Sequence, residues 1–326
     1  MKRLSLSAAL PLSASLGLFI LLLCFPAAAR AGAAAGLSLC AELLIPTLLP
    51  FFAAAGLLNR LGLPDVLAGR LAPLMGRVFS LPGAAAGPLL LGLTGGYPLG
   101  AASAAELCLR GTLTREEAER LLRFCDNTGP AFAVAALGAG VFGSVRAGLV
   151  LWLSHVLSAL LTGLLLCRKQ GRSYAPAATE TQPPLPFAAA FCESAGAAAL
   201  SLLRLSAFVV LFSSLRAVLD ETGLFPAAAG ELAVLTGAEL SWCRALLCSL
   251  LELTGAVQTL RGLPCTAMNL ALASFALSWG GLCIQLQSMS VTAPAGLRCR
   301  GRLAGKLLHG LLSALITLIS AAVIHF

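Results

Sequence analysis

The sequence predicts an all-α polytopic membrane protein built from two repeats of inverted topology, with broken or re-entrant helices. Three observations carry this prediction. First, 58% of the residues are hydrophobic and 11% charged, with a mean hydropathy of +0.91. A soluble domain has about 45–50% apolar and about 25% charged residues. Second, the Lys and Arg residues fall in short clusters between apolar stretches, as in a polytopic inner-membrane protein. Third, several apolar stretches are interrupted by Gly, Pro or ionisable residues, at matching places in the two halves. This composition argues against a soluble enzyme, a disordered chain and a nucleic-acid-binding domain. The net charge of +8 resolves into topogenic clusters, so the expected partner is the lipid bilayer and not a nucleic acid.

The elements follow in order. Lys2 and Arg3 precede Leu4–Phe25, an uncharged segment long enough to cross a hydrocarbon core of about 30 Å. Residues 1–36 are read as an N-terminal membrane anchor or signal-like helix. The run Pro26-Ala-Ala-Ala-Arg30-Ala31 leaves cleavage open as the alternative. Left uncleaved, the N-terminus is cytoplasmic. Leu37–Leu58 is a second span, followed by a loop bearing Arg60, Arg70 and Arg77. Ala84–Leu109 is apolar but broken near Gly95-Gly96-Tyr97-Pro98. Thr114 with Glu117 three residues on predicts a capping box opening a charged helix. Phe124–Gly143 is apolar but opens with Asp126-Asn127-Thr128-Gly129-Pro130, and Ala147–Cys167 is an unbroken span. Arg168–Pro186, polar and Pro-rich, reads as an exposed cytoplasmic linker (168–186) between a first repeat (37–167) and a second (187–326). In the second repeat Leu200–Leu219 is a span and Asp220–Glu239 a loop region with a partly buried apolar helix. Leu246–Leu260 is broken at Thr254-Gly255, Leu263–Val291 at Gly280-Gly281, and Leu303–Phe326 is the last span.

The repeat rests on matches in common order: Leu93-Thr-Gly95 with Leu253-Thr-Gly255, the Asp126 segment with the Gly280-Gly281 region, and His155…Ser158…Thr162 with His309…Ser313…Thr317. Charge sets the relative orientation. The Arg60–Arg77 loop is basic, whereas its counterpart Asp220–Glu239 carries no Lys or Arg. The later pair reverses this, with Arg146 alone against Arg298, Arg300, Arg302 and Lys306. Under the positive-inside rule the halves are inverted. One topology puts Lys2/Arg3, Arg60–Arg77, Arg110–Arg123, Arg168–Arg172 and Arg298–Lys306 all on the cytoplasmic side, with Ala84–Leu109 as a re-entrant hairpin. In secondary transporters of this architecture the helix breaks meet near the midplane and bind solute or ion.

An ionisable group in hydrocarbon costs at least about 2.5–3.5 kcal/mol, so it faces a cavity or a partner. The candidate cavity lining is Gly95, Gly96, Tyr97, Asp126, Asn127, Thr128, Glu252, Thr254, Gln258 and Gln285. Asp126 has a blander alternative, a simple helix cap at the membrane edge. His155 and His309 read as satisfied packing residues rather than proton carriers. The eleven cysteines show no paired spacing, so they read as small buried hydrophobes and imply neither zinc nor disulfides. No nucleotide loop and no nucleophile–base or metal-ligand spacing appears. Neither an enzyme nor a cofactor is expected.

Four stretches together resemble a known family. They are Leu93-Thr-Gly-Gly-Tyr-Pro-Leu-Gly-Ala101, Arg120–Phe132, Leu251-Glu-Leu-Thr-Gly255 and Trp279–Gln287. In this order they resemble the YlbJ family of sporulation integral membrane proteins, which carry the nucleoside-recognition (Gate) domain. Gly95 and Asp126 depart from the family's pattern. The resemblance implies a role in endospore formation and a fold related to concentrative nucleoside transporters. The expected function is binding or moving a small polar solute through a midplane cavity. The alternative is a non-transporting membrane scaffold for spore-envelope assembly. Homo-oligomers or other sporulation membrane proteins are the expected protein partners, and the cell membrane is the expected location.

Overall fold

The computed structural model describes residues 6–167, 185–298 and 300–324, and among them the chain is helical throughout with no strand. Among the described residues, five helices are long and apolar enough to cross a membrane, or up to seven if each of two bent helix pairs is one span. Outward-facing Leu, Phe, Val and Ile are abundant along these helices, as expected where the solvent is lipid and not water.

α1 (Leu6–Cys24) stops at Phe25, and α2 (Pro26–Leu39) starts on Pro26, whose missing N–H is no loss at a first helical position. A π-helical turn (Cys40–Leu44) joins α2 to α3 (Ile45–Arg60), so the helix runs straight through the boundary expected near residue 36. Small residues explain its docking. A Cβ on Gly32 would lie 2.5 Å from the Ser213 carbonyl oxygen, so α2 approaches its neighbour at backbone distance. That neighbour is α9 (Phe187–Glu221), which starts well before the expected Leu200.

The loop expected at 60–77 is instead helical, and the partly buried apolar helix expected within 220–239 is present. Gly62 and Gly223, both in left-handed conformation, open α4 (Leu63–Leu74) and α10 (Leu224–Thr236). α4 continues through a π turn (Met75–Phe79) and bends by 98° into α5 (Ala86–Gly95). α10 bends by 119° into α11 (Leu240–Leu251). Only Phe225 and Ala229 of α10 are buried, while Leu63, Val66 and Leu74 of α4 and Leu224, Val234 and Leu235 of α10 face outward.

α5 folds back on α6 (Leu99–Leu109) as a helical hairpin turned at Gly96-Tyr97-Pro98. The hairpin closes over Cys125, whose carbonyl oxygen would be 1.8 Å from a Cβ on Gly92 and 2.1 Å from one on Gly100. α7 (Arg115–Leu121) opens with the predicted capping box, Glu117 N–H donating to Thr114 Oγ1 at 3.2 Å and Thr114 N–H to Glu117 Oε2 at 2.9 Å. A π-helical segment (Ala131–Ala139) and α8 (Val145–Cys167) complete the first half. The expected linker lies outside the described residues save for 185 and 186.

In the second half α11 ends and α12 (Leu253–Leu260) begins at one extended residue, Glu252. α13 (Ala267–Trp279) and α14 (Gly281–Thr292) meet at left-handed Gly280, and α15 (Arg300–Ile324) is last. α13 is buried on every side from Asn269 to Trp279 and packs on α8, α11 and α15. The element order of 45–167 therefore recurs in 187–324: long helix, bent pair, break, two helices, break, helix, long helix.

Candidate functional site

The helix breaks come together. In the first half a Cβ on Gly129 would touch the Thr94 carbonyl oxygen at 3.1 Å and the Gly96 nitrogen at 3.2 Å. In the second half a Cβ on Gly281 would sit 2.8 Å from the Glu252 nitrogen. Each half thus stacks its second break on its first. The halves then join through Thr128, whose hydroxyl donates to the Leu277 carbonyl at 2.8 Å, and Tyr97, whose hydroxyl donates to the same carbonyl at 3.0 Å.

Between them lies a partly open cavity, whose roughly 600 Å³ of empty space includes open solvent at its mouth. Its walls are mostly apolar: Leu44 of the first π turn, Leu48, Phe51 and Phe52 of α3, Phe132 of the later π segment, Leu205 and Val209 of α9, and Leu253 and Ile284. Its polar surface comes from the breaks, through Thr94, Gly95, Gly96, Tyr97, Thr128, Glu252, Thr254 and Gln287. Both Glu252 carboxylate oxygens cap α12, accepting from Thr254 N–H at 2.8 Å and Gly255 N–H at 2.5 Å. The break expected at Thr254-Gly255 is therefore one turn-start earlier. Those two residues are helical, and their unpaired N–H groups are what hold the carboxylate. The Thr254 hydroxyl is buried with no protein partner.

Four expected lining residues are elsewhere. Gln258 is exposed on the far face of α12. Gln285 is buried behind the cavity, its Nε2 donating to the Trp279 carbonyl at 2.7 Å. Asn127 Nδ2 donates to the Phe124 carbonyl at 2.8 Å and so ties off its own break. Asp126 is neither cavity-lining nor a helix cap at the membrane edge. It is wholly buried in an ion pair with Arg302 at 2.9 Å and accepts from the Ser288 hydroxyl. Such a pair holds only if both partners are present, because a lone buried charge is expensive.

Arg302 and Lys306 correct a second expectation. They were counted among cytoplasmic loop charges, yet both are buried inside α15. Lys306 Nζ donates to the Tyr97 hydroxyl at 2.9 Å and to the Asp126 carbonyl at 2.7 Å, and lies 3.3 Å from His309 Nδ1. The sequence carries a signal for this. Arg302, Lys306, His309, Ser313 and Thr317 follow helical spacing, so they form one polar stripe on α15. His155, Ser158 and Thr162 make a matching stripe on α8, and all three are buried. Asp220, expected in a loop, instead ends α9 between Arg216 at 3.1 Å and Arg244 at 2.9 Å.

The helix breaks that the first half contributes to this site fall within one matched segment. Residues 41–165 match the family model described as Gate, nucleoside recognition. The Gate match spans α3 to α8, the first of the two recurring sets of elements. The chain is also 35% identical over 147 residues to the sporulation integral membrane protein YlbJ of Bacillus subtilis (strain 168), a match covering 45% of this chain. It spans about a third (36%) of that curated relative's length. No solved structure matches the chain significantly. The Gate segment supplies Thr94–Tyr97 and Thr128–Phe132 to the cavity, and the part beyond it supplies Glu252–Thr254 and Cys283–Gln287.

Proposed function

We propose that this is a multi-pass cell-membrane protein of endospore formation that binds or moves a small solute through the cavity between its helix breaks. One observation carries the reading: a cavity walled by both halves, with helix breaks from each contributing its polar surface. Helix ends present unpaired backbone groups, and those are the groups transporters use for solutes and ions. The two halves are read as inverted repeats related to those of concentrative nucleoside transporters, supported by the recurring element order and the opposed charge of their first bent pairs. The resemblance to YlbJ supports the sporulation role. The apolar walls and the few polar contacts suit a solute with a flat or apolar body. No enzymatic chemistry is part of the proposal.

Thr254 is the residue on which to test it, because it lines the cavity and its buried hydroxyl has no hydrogen-bond partner in the protein. A thermal-shift screen of the purified protein against nucleosides, amino acids, dipicolinate and metal ions should find a stabilising solute. Thr254→Val should abolish that shift while leaving the unliganded melting temperature in place.

The alternative reading is a non-transporting membrane scaffold for spore-envelope assembly, which needs the packed fold and no bound solute. A sporulating strain carrying Thr254→Val at normal protein level separates the two. Loss of spore yield supports the carrier, and normal yield supports the scaffold.

A further inference from the structure

Arg120, in α7, is only 5% exposed. Its Nε and Nη1 are buried and have no hydrogen-bond partner in the protein. A guanidinium keeps its charge in any protein setting, and a buried charge without a counter-ion is expensive. Arg123 follows on the turn after α7. Its Nη1 donates to the Leu166 carbonyl near the end of α8 at 3.1 Å, while its Nε is buried and unpartnered. Both arginines thus meet the last turn of α8. Cys167 Sγ donates to the Arg120 carbonyl at 3.6 Å, and the charges of Arg120 and Arg123 both act on its thiol. The start of α15 leaves them space. A Cβ on Gly301 would lie 2.8 Å from Arg123 Nε, and one on Gly305 2.7 Å from the Arg123 carbonyl oxygen.

The carboxylates packed nearby are engaged elsewhere. Glu117 is buried one turn before Arg120, and its Oε2 accepts the Thr114 N–H and hydroxyl in the capping box. Glu119 Oε1 accepts the Arg298 N–H at 2.8 Å. Asp126 is paired with Arg302, and Glu106 of α6 with Arg110. Glu116 is exposed. Among the described residues no carboxylate lies within ion-pairing distance of Arg120 or Arg123. Arg115 and Arg298 at the surface, and Arg302 and Lys306 deeper in α15, add positive charge to the same corner. Glu117 offsets one charge from a distance, so the corner stays net positive.

We propose that Arg120 and Arg123, where α8 stops and α15 starts, bind a phosphate-type anion, supplied by an acidic phospholipid headgroup or by free phosphate. Neither arginine lines the cavity between the helix breaks, so the site does not depend on the carrier reading. Phosphate oxygens take charge-assisted bonds from guanidinium N–H groups, and these are the groups left without acceptors here. Basic pockets between helix ends on the cytoplasmic side are where acidic headgroups bind, and the positive-inside rule assigns Arg110–Arg123 to that side.

The full-length protein is placed in nanodiscs of phosphatidylcholine, of phosphatidylcholine with phosphatidylglycerol, and of phosphatidylcholine with inorganic phosphate in the buffer. Chloride keeps the ionic strength equal throughout. The anion should raise the unfolding temperature by at least about 2 °C. A rise with phosphatidylglycerol alone assigns a lipid headgroup, and a rise with inorganic phosphate assigns the free anion. Arg120→Met should lose the rise, yet unfold in pure phosphatidylcholine no lower than the unsubstituted protein, because it removes an unpaired buried charge. Arg110→Gln, which takes an exposed cation from the neighbouring helix end, should keep the rise. Should Arg120→Met not fold, Arg123→Gln, at a half-buried position, reads the same loss. No rise in either arm means that the chain itself meets the charge, and overturns the site. A rise that survives Arg120→Met, or that Arg110→Gln removes equally, reports general surface charge and overturns it as well.

Discussion

His309 hydrogen-bonds the backbone carbonyl of His155 at 3.0 Å, and the two rings lie with centroids 4.6 Å apart. They are 154 residues apart in sequence and occupy corresponding positions in the last long helices of the two halves. The contact that fastens α8 to α15 is therefore made by matched residues. His155 also accepts the Thr128 N–H, so His155→Leu leaves that buried donor unmet. The expected cost is about 1–3 kcal/mol, read as a lower unfolding temperature of the purified protein in detergent.

Asp126 and Arg302 should behave as a buried pair and not as two independent residues. Asp126→Asn strands the guanidinium and should cost about 3–5 kcal/mol. Adding Arg302→Met to Asp126→Leu should recover most of the loss. A double-mutant cycle with no coupling between the two positions would contradict the pairing.

Backbone approach at Cys125 predicts a sharp contrast among glycines. Gly92→Ala and Gly100→Ala each push a methyl group into the Cys125 carbonyl, at about 1–3 kcal/mol or more for an overpacked site. Gly196, in α9, has nothing within 4 Å of its absent Cβ. Gly196→Ala should be neutral or stabilise by up to about 1 kcal/mol, the helix-interior penalty of glycine. Thermal unfolding of the three variants side by side ranks them.

Glu252 carries a structural duty that its charge alone does not reveal. In Glu252→Gln one of the two capping oxygens becomes an amide group facing the Gly255 N–H. Stability should fall by about 1 kcal/mol, whereas Glu252→Asp, a better natural cap, should lose less. Any loss of solute binding in Glu252→Gln has to be read against that melting shift.

Topology gives the remaining test. If the halves are inverted, Leu61→Cys and Glu221→Cys, placed one at each left-handed glycine turn, react with an impermeant thiol reagent from opposite faces on a cysteine-free background. Labelling of both from one side would rule the inversion out.

Composition and hydrophobic run length alone determined the all-α membrane class, because the bilayer leaves a spanning chain few other ways to satisfy its backbone. Local chemistry was equally legible: the Thr114–Glu117 capping box and the interruption at Gly96-Tyr97-Pro98 need only near neighbours. The cavity's break residues Gly95, Gly96, Tyr97, Thr128, Glu252 and Thr254 could be picked out because polar or glycine residues inside an apolar run have few reasons to be there. Their neighbours were another matter. Asp126 was read as a cavity group because its partner Arg302 lies 176 positions away, and Arg302 and Lys306 were read as loop charges because a positive residue at a span's start usually is one. Residues 60–77 were read as a loop for a similar reason, since Arg60, Arg70 and Arg77 mark a charged segment whether or not it is helical. A charge reports its cost locally, but whether a partner, a cavity or water meets that cost depends on contacts between helices far apart in the chain, and only the packed structure decides it.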